Sequence, residues 1–382
     1  MTSLDRLCAQ EYPFTLRPDI VYLNHAATGP LPQRCLDQLD EWARLRAEPW
    51  RITLDRQFGI LTKGRMQAAQ FIGADADEIA MMVNTGYGIN FAARSLPLKP
   101  GDVVVGGDRE FPANVYPWMA LEKARGVRFH RVPCRGRLAD EDAMLEAINQ
   151  PNVKVLAVSW VSFETGKRLD LQRLGAACRE RGIYFVVDGI QGVGATALDV
   201  RACHIDILAS GAQKWLLSPW GTGFVYVRRE LISQLEPTDV GWLAVRSSTD
   251  FGRFLDYAMD FFDDARRFEM VTLPFQDFAG MTGTFDMFLE VGLSRVFELV
   301  RARADQIVAW AQRRRDITLV TPSDPAARAG IVAVIPPDAE GVCRKLEAAG
   351  IAHSLREGAI RLSPHFYTSE ESLDRALHLI AS

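Results

Sequence analysis

The chain has 382 residues, 48 % of them hydrophobic, with 44 Lys and Arg against 48 Asp and Glu and a net charge of −4. That length suits one large core with a smaller satellite domain, and the near balance of sign, with no long basic block, argues against nucleic acid or a membrane surface as partner. The six cysteines (Cys8, Cys35, Cys134, Cys178, Cys203 and Cys343) form no Cys-x-x-Cys pair and no Cys/His cluster, so neither a metal nor a disulfide framework is indicated. With no apolar leader and no long apolar run, a cytoplasmic protein with reduced thiols is expected.

Ile20 to Leu23 read as a short strand entering a small-residue turn closed by Gly29 and Pro30. Apolar residues at helical spacing follow over Cys35 to Arg46 and Leu61 to Ile72. Met81 to Leu96 passes from an apolar start through Asn84-Thr85-Gly86-Tyr87-Gly88 into an amphipathic run. That turn opens a helix, and unpaired N–H groups at the positive end of a helix dipole suit a phosphate or a simple Asn84 or Thr85 cap. Asp102 to Gly107 reads as a buried strand and Tyr116 to Arg125 as a helix, with Phe111-Pro112 just past the strand's carboxyl end. In open α/β sheets ligands lie there, and a phenylalanine can stack on a planar ring or simply fill a core.

From Val153 the alternation is regular. It gives a strand to Trp160, a helix from Leu171 to Arg181 capped by Asp170, and a strand from Ile183 to Val187 ending at Asp188. Further strands are expected at Ile207 to Ala209 and Gly223 to Val227. Such repeats predict a mainly parallel sheet with right-handed crossovers. Beyond Arg229 the pattern loosens into an aromatic, charged stretch from Phe251 to Phe278. Thr284 to Arg303 then reads as one helix linking two domains. The tail predicts strands at Ile317 to Val320, Ile331 to Ile335 and Ala359 to Ser363, and a helix from Gly341 to Ala349. A last helix to Ala381 is capped by Thr368 and Glu371. The expected division is an N-terminal segment over 1–18, a large α/β domain over 19–270, and a linking helix with a small α/β domain over 271–382.

The residues near strand carboxyl ends are Thr85, Gly86, Phe111, Asp188, Gln191 and, 26 residues after Asp188, a lysine in an apolar Trp-rich segment, Lys214. A phosphate cradle, a stacking face, a carboxylate, an amide and a buried amine together describe a pyridoxal 5′-phosphate site. A lysine partly removed from water loses basicity and can attack an aldehyde. A carboxylate against a pyridine nitrogen keeps it protonated, which makes the ring an electron sink.

The segments YLNHAATGPLP, NTGYGIN, EFPANVYPW, VSWVSFETG, VDGIQGVG, QKW, RFEMVT and IRLSPHFYT resemble the class V aminotransferases of fold type I. That family includes cysteine desulfurases, selenocysteine lyases, isopenicillin N epimerase and kynureninase. The resemblance spans nearly the whole chain. It implies the fold of PLP-dependent transferases, pyridoxal 5′-phosphate as cofactor, and a homodimer with sites at the subunit interface. It implies that Lys214 condenses with the cofactor, Asp188 pairs with the pyridine nitrogen, Gln191 bonds the 3′-oxygen and Phe111 stacks on the ring. Thr85 and Gly86 match the phosphate cradle, with Ser210 one residue earlier than the family's serine and Thr272 matching a threonine delivered by the second subunit. Arg361 matches the clamp for the substrate's α-carboxylate, and Arg356, His25 and Asn114 fall on substrate-side positions. Ser162 reads equally as a site or a structural residue, whereas His204 and His365 read as ordinary polar residues.

Two departures bear on the reaction. Gln213 and Gly211 replace a histidine and serine common in desulfurases, and Glu357-Gly358-Ala359-Ile360 runs straight into Arg361 with no cysteine. Persulfide chemistry on an enzyme thiol is therefore disfavoured, and apolar Trp160 and Phe163 are expected to shape the substrate pocket. The leading expectation is transamination of an amino acid or amine. The alternatives are β-elimination or C–S cleavage without an enzyme thiol, epimerisation, and a non-catalytic binding protein built on the same fold.

Overall fold

The computed structural model describes residues 2–255 and 257–381. Its first strand, β1 (Val21–Tyr22), stands apart from the main sheet. That sheet is built from β2 (Ile79–Met81), β3 (Val103–Gly107), β4 (Arg128–Val132), β5 (Val153–Ser159), β6 (Tyr184–Asp188), β7 (Ile207–Gly211) and β8 (Gly223–Val227). Their order is β2-β8-β7-β6-β5-β3-β4. β3 to β7 are mutually parallel, and the near-continuous apolar runs of β3, β5, β6 and β7 suit strands buried on both faces. β8 is the exception: it runs antiparallel to both β7 and β2, so the sheet is mixed.

Strand β4 and a helix over Glu141–Ala147 were not foreseen. β4 reads RFHRV and lies at the sheet edge with Arg128 and Arg131 exposed, so it lacks the apolar run that marks its neighbours. The single helix expected over Thr284 to Arg303 is two, Phe275–Val291 and Leu293–Gln312, because Gly292 adopts φ 87° between them. The last helix, Glu370–Ala381, is capped by Ser369, whose Oγ accepts the Ser372 N–H; Thr368 instead accepts the N–H of His365.

The C-terminal part adds β9 (Thr318–Leu319), β10 (Val332–Ile335), β11 (Ile351–Ala352), β12 (Ser354–Arg356) and β13 (Ala359–Leu362). Four of these form an antiparallel sheet in the order β12-β13-β10-β9, packed through Val332, Ile360 and Leu362 on Ile307, Leu346 and Leu373 of three helices. β11 pairs in parallel with β1, and Asn24 bridges Ser363, so the N-terminal strand is stitched to the C-terminal part. Among the described residues no helix is long and apolar enough to cross a membrane. All six cysteines are free.

Candidate active site

The carboxyl ends of β3, β5, β6 and β7 lie side by side, and the loops leaving them carry the candidate residues. Asp188 is the last residue of β6, and its Oδ1 accepts the N–H of Ile190 at 3.0 Å. Burial pushes its pKa up to about 6, against the opposing pull of that N–H and of the Lys214 charge.

Lys214 sits three residues past β7 and keeps part of its surface open. Burial lowers its pKa to about 8; Asp188 resists that shift, while the positive charges of Arg361 and Arg356 add to it. The lysine backbone is pinned from below: Gly29 N–H donates to Gln213 O at 2.8 Å, and a Cβ at Gly29 would lie 2.2 Å from Lys214 O. Only glycine allows that approach. Lys214 Nζ lies 5.3 Å from the ring centroid of Phe111, a residue 41 % exposed whose ring meets Phe163 edge-on at 5.3 Å.

The helix Thr85–Ser95 points its N-terminus at the same place. Asn84 caps it by accepting the Tyr87 N–H, and Thr85 Oγ1 accepts Gly211 N–H at 2.8 Å, three residues before the lysine. Thr85 therefore keeps its own hydroxyl proton to donate, and helix geometry leaves the Thr85 and Gly86 N–H groups without intrahelical acceptors. Gln191 is buried and held at both ends, with Nε2 donating to Ala26 O and Oε1 accepting the Trp215 indole N–H. A carboxamide has two N–H protons, so one remains for a ligand.

Arg361, on β13, is buried beneath the opening. Its Nη1 donates to Phe163 O at 2.6 Å and its Nη2 to Ser354 Oγ at 3.3 Å, while Nε is buried with no partner. Burial, and then the charge of Arg356, lower its pKa to about 10. Arg356 is exposed and, among the described residues, bonds only a backbone carbonyl, Leu355 O.

Other expected residues lie elsewhere or are otherwise engaged. Both ring nitrogens of buried His25 are taken, by Ser363 O and the Tyr367 hydroxyl. Asn114 Oδ1 accepts from Trp118 at 3.3 Å, and its side-chain amide also helps hold the Glu110 carboxyl. Ser210 faces away from the Thr85–Ser95 helix, since Ala209 meets Gly88 there, and its hydroxyl donates to Gly211 O. Ser162 closes a local turn by accepting Glu164 and Thr165 N–H groups. Thr272 is exposed and, among the described residues, no hydrogen bond joins it to this cluster. Trp160 does not face the opening; it is buried over Gly192, where a Cβ would strike its ring at 2.1 Å. His365 is structural, bonding Trp215 O and the Phe366 N–H.

Three features escaped the sequence reading. Glu110 is half-buried, its carboxylate accepts both the N–H and hydroxyl of Ser159, and desolvation of that carboxylate raises its pKa to about 7. Trp215 positions Gln191. Glu164, which is buried, binds Arg109 through two bonds and Arg137 through one, tying them to the β12–β13 hairpin. An acidic residue beside the expected stacking phenylalanine was the one available signal for Glu110.

The fit for a phosphorylated pyridine aldehyde is supported by orphaned polar atoms. Gln213 Oε1 and Arg361 Nε are both buried without partners on segments converging here, and such groups are rare unless a ligand or water completes them.

The model of the family described as aminotransferase class-V matches residues 21–375. Isopenicillin N epimerase of Streptomyces clavuligerus is 31 % identical over 382 residues, covering 94 % of each chain. A probable cysteine desulfurase of Methanothermobacter thermautotrophicus is 30 % identical over 284 residues, covering 73 % of this chain and 69 % of that protein. Among solved structures, a C-DES mutant with glycine covalently linked to the PLP cofactor superposes with a TM-score of 0.88 at 20 % identity, covering 98 % of this chain and 99 % of that one. The apo cysteine desulfurase of Thermococcus onnurineus NA1 gives 0.86 at 22 % identity, covering 100 % and 98 %. The fold is that of fold type I, and the chain belongs to the class V aminotransferase family, whose enzymes use pyridoxal 5′-phosphate.

Proposed function

We propose that this protein carries out proton transfer at the α-carbon of an amino acid or amine, with transamination as its reaction. The observation that carries the reading is Lys214: a part-open amine with a pKa lowered to about 8, facing an exposed aromatic ring, with buried Asp188 close enough to influence it. Pyridoxal 5′-phosphate, when bound, supplies an aldehyde that condenses with amines and a ring that takes up negative charge from the adjacent carbon.

The residues divide the remaining work. Lys214 would supply the amine for that aldehyde and, once displaced by substrate, would move a proton between the substrate's α-carbon and the cofactor's aldehyde carbon. Asp188 holds a positive charge at the ring nitrogen, and Gln191 offers its spare N–H to the 3′-oxygen. Thr85 and Gly86 hold the phosphate with backbone N–H groups and a hydroxyl. Phe111 covers one ring face. Arg361 receives the α-carboxylate, for which its orphaned Nε is a ready donor. Ser210 joins the cradle only by turning its hydroxyl from Gly211 O, and Thr272 serves a site only from a second copy, which makes the working unit a homodimer.

A second reading, epimerisation, is supported by the similarity to isopenicillin N epimerase over 94 % of the chain. Elimination without an enzyme thiol starts from the same loss of the α-proton and is a third reading; among the described residues no cysteine lies on the β12–β13 hairpin, which argues only against persulfide chemistry. Incubating the protein and cofactor with a panel of L-amino acids and a keto acid separates the three. A new keto acid with matching amino acid supports transfer, D-enantiomer supports epimerisation, and ammonia with pyruvate supports elimination. A protein that stays colourless with added pyridoxal phosphate refutes the whole proposal.

A further inference from the structure

Hairpin β12–β13 turns through Glu357 and Gly358, both at positive φ (48° and 76°), a two-residue connection that fixes register. In that register Ser354 faces Arg361 and Arg356 faces Ala359. Arg356 and Arg361 are therefore diagonal neighbours on one face of the hairpin, a relation that brings long side chains within reach of one another. Both guanidinium charges are also near enough to act on Lys214.

The hairpin is held in place by its own charge network. Arg137 donates to Glu357 O at 2.8 Å, Arg109 pairs with the Glu357 carboxylate at 3.7 Å, and buried Glu164 joins the two arginines. That accounting is unequal. Four arginines meet two carboxylates, Glu164 and Glu357, and both carboxylates are spent on Arg109 and Arg137. Among the described residues no carboxylate pairs with Arg356 or Arg361. An α-carboxylate on Arg361 answers one of the two remaining charges. The other, on exposed Arg356, has no carboxylate partner among the described residues.

We infer that Arg356 forms a second anion subsite, so that the substrate class is an α-amino acid carrying a further carboxylate on its side chain. This rests on the proposed function, since it takes Lys214 and Arg361 as the places for the amine and the α-carboxylate. Arg356 adds a charge-assisted bond to the distal carboxylate, and a fixed hairpin sets the chain length that reaches it.

The test uses the protein loaded with pyridoxal phosphate and follows its visible absorption during titration with aspartate, glutamate and 2-aminoadipate, each against its uncharged side-chain amide. At the best length the acid binds at least about tenfold tighter than the amide, as one charge-assisted hydrogen bond predicts. Arg356→Gln brings that ratio close to one, and Arg356→Lys restores part of it. Independently of turnover, a diacid of that length raises the melting temperature more than the monoacid of equal length, and Arg356→Gln removes the difference. A ratio near one in the unaltered protein, or a ratio that survives Arg356→Gln in a variant of normal melting temperature, overturns the inference. Absence of any visible band on adding pyridoxal phosphate removes the proposed function instead. The diacid and monoacid melting curves still judge the anion subsite in that case.

Discussion

Gly88→Ala is expected to unsettle both the fold and the cofactor cradle. The helix Thr85–Ser95 lies so close to the sheet that a Cβ at Gly88 would sit 2.6 Å from Ala209 Cβ and 2.6 Å from Val225 Cγ2. Carbon atoms rest at about 3.5–4.0 Å, so the helix must withdraw by about an ångström. Val225 can turn a methyl aside; Ala209 has nothing to turn. Overpacking of this kind costs about 1–3 kcal/mol. The withdrawal also stretches the 2.8 Å bond between Gly211 N–H and Thr85 Oγ1 beyond useful range, a further loss of about 1 kcal/mol. Alanine returns about 1 kcal/mol of helix propensity, leaving a net loss of about 1–3 kcal/mol. Urea denaturation of the protein without cofactor gives the stability, and a pyridoxal phosphate titration gives the affinity, which falls because Thr85 and Gly86 move with the helix. Gly59→Ala is the control: it lies in the helix Leu54–Ile72 with nothing within 4 Å of the new Cβ, and gains about 0.4–1 kcal/mol. Unchanged stability and unchanged affinity in Gly88→Ala would refute the close-packing argument.

Four further outcomes follow from the site. Lys214→Ala abolishes the visible band formed with pyridoxal phosphate and lowers turnover by about 10²–10⁴-fold or more, the range for loss of a general base; a persisting band would show that another amine holds the aldehyde. The Glu110 carboxyl rises from 4.5 to about 7 on folding, so the folded form binds the extra proton between those values. Its contribution is therefore full below about pH 4.5 and is lost as pH rises through about 7, a change of a few kcal/mol at most. Glu110→Gln flattens that part of the stability profile, whereas an unaltered profile contradicts the assignment. All six thiols have pKa values raised chiefly by burial, so brief iodoacetamide treatment leaves turnover unchanged; inactivation protected by substrate would restore a thiol mechanism. Glu164→Ala strands the Arg109 and Arg137 charges and releases the hairpin, costing about 1–3 kcal/mol by chemical denaturation and raising KM more than it lowers kcat; a KM that holds steady would show that the hairpin is fixed by its backbone alone.

Much of the architecture was legible because it repeats in one direction along the chain. Apolar runs such as Phe185-Val186-Val187 announce buried parallel strands, and Asp170 announces the helix it caps, accepting the Arg173 N–H. Strand β4 was not legible, because an edge strand with outward arginines has no such run. Nor did the apolar pattern show that β8 runs backwards, since burial on both faces looks alike in either direction. At the site, Lys214 and Asp188 stood out as polar residues in apolar surroundings. Glu110 did not, since what makes it unusual is Ser159, 49 residues on. Likewise Trp160 and Phe163 look equivalent in sequence, yet a glycine 32 positions beyond Trp160 takes it into the core while Phe163 stays at the opening.

The union of β1 with β11 bears on how the protein is made. The Asn24–Gly29 loop that supports the Lys214 backbone is anchored through His25 to Ser363, 338 residues further along, and through β1 to a strand nearly as distant. At roughly 5–20 residues per second a ribosome needs about 20–70 s to deliver that partner. Until then the central sheet can form around Asp188 and Lys214 while the floor beneath the lysine hangs free. The floor beneath the lysine is thereby completed only at the end of synthesis, and a nascent chain stalled before residue 351 would carry its reactive amine without that support.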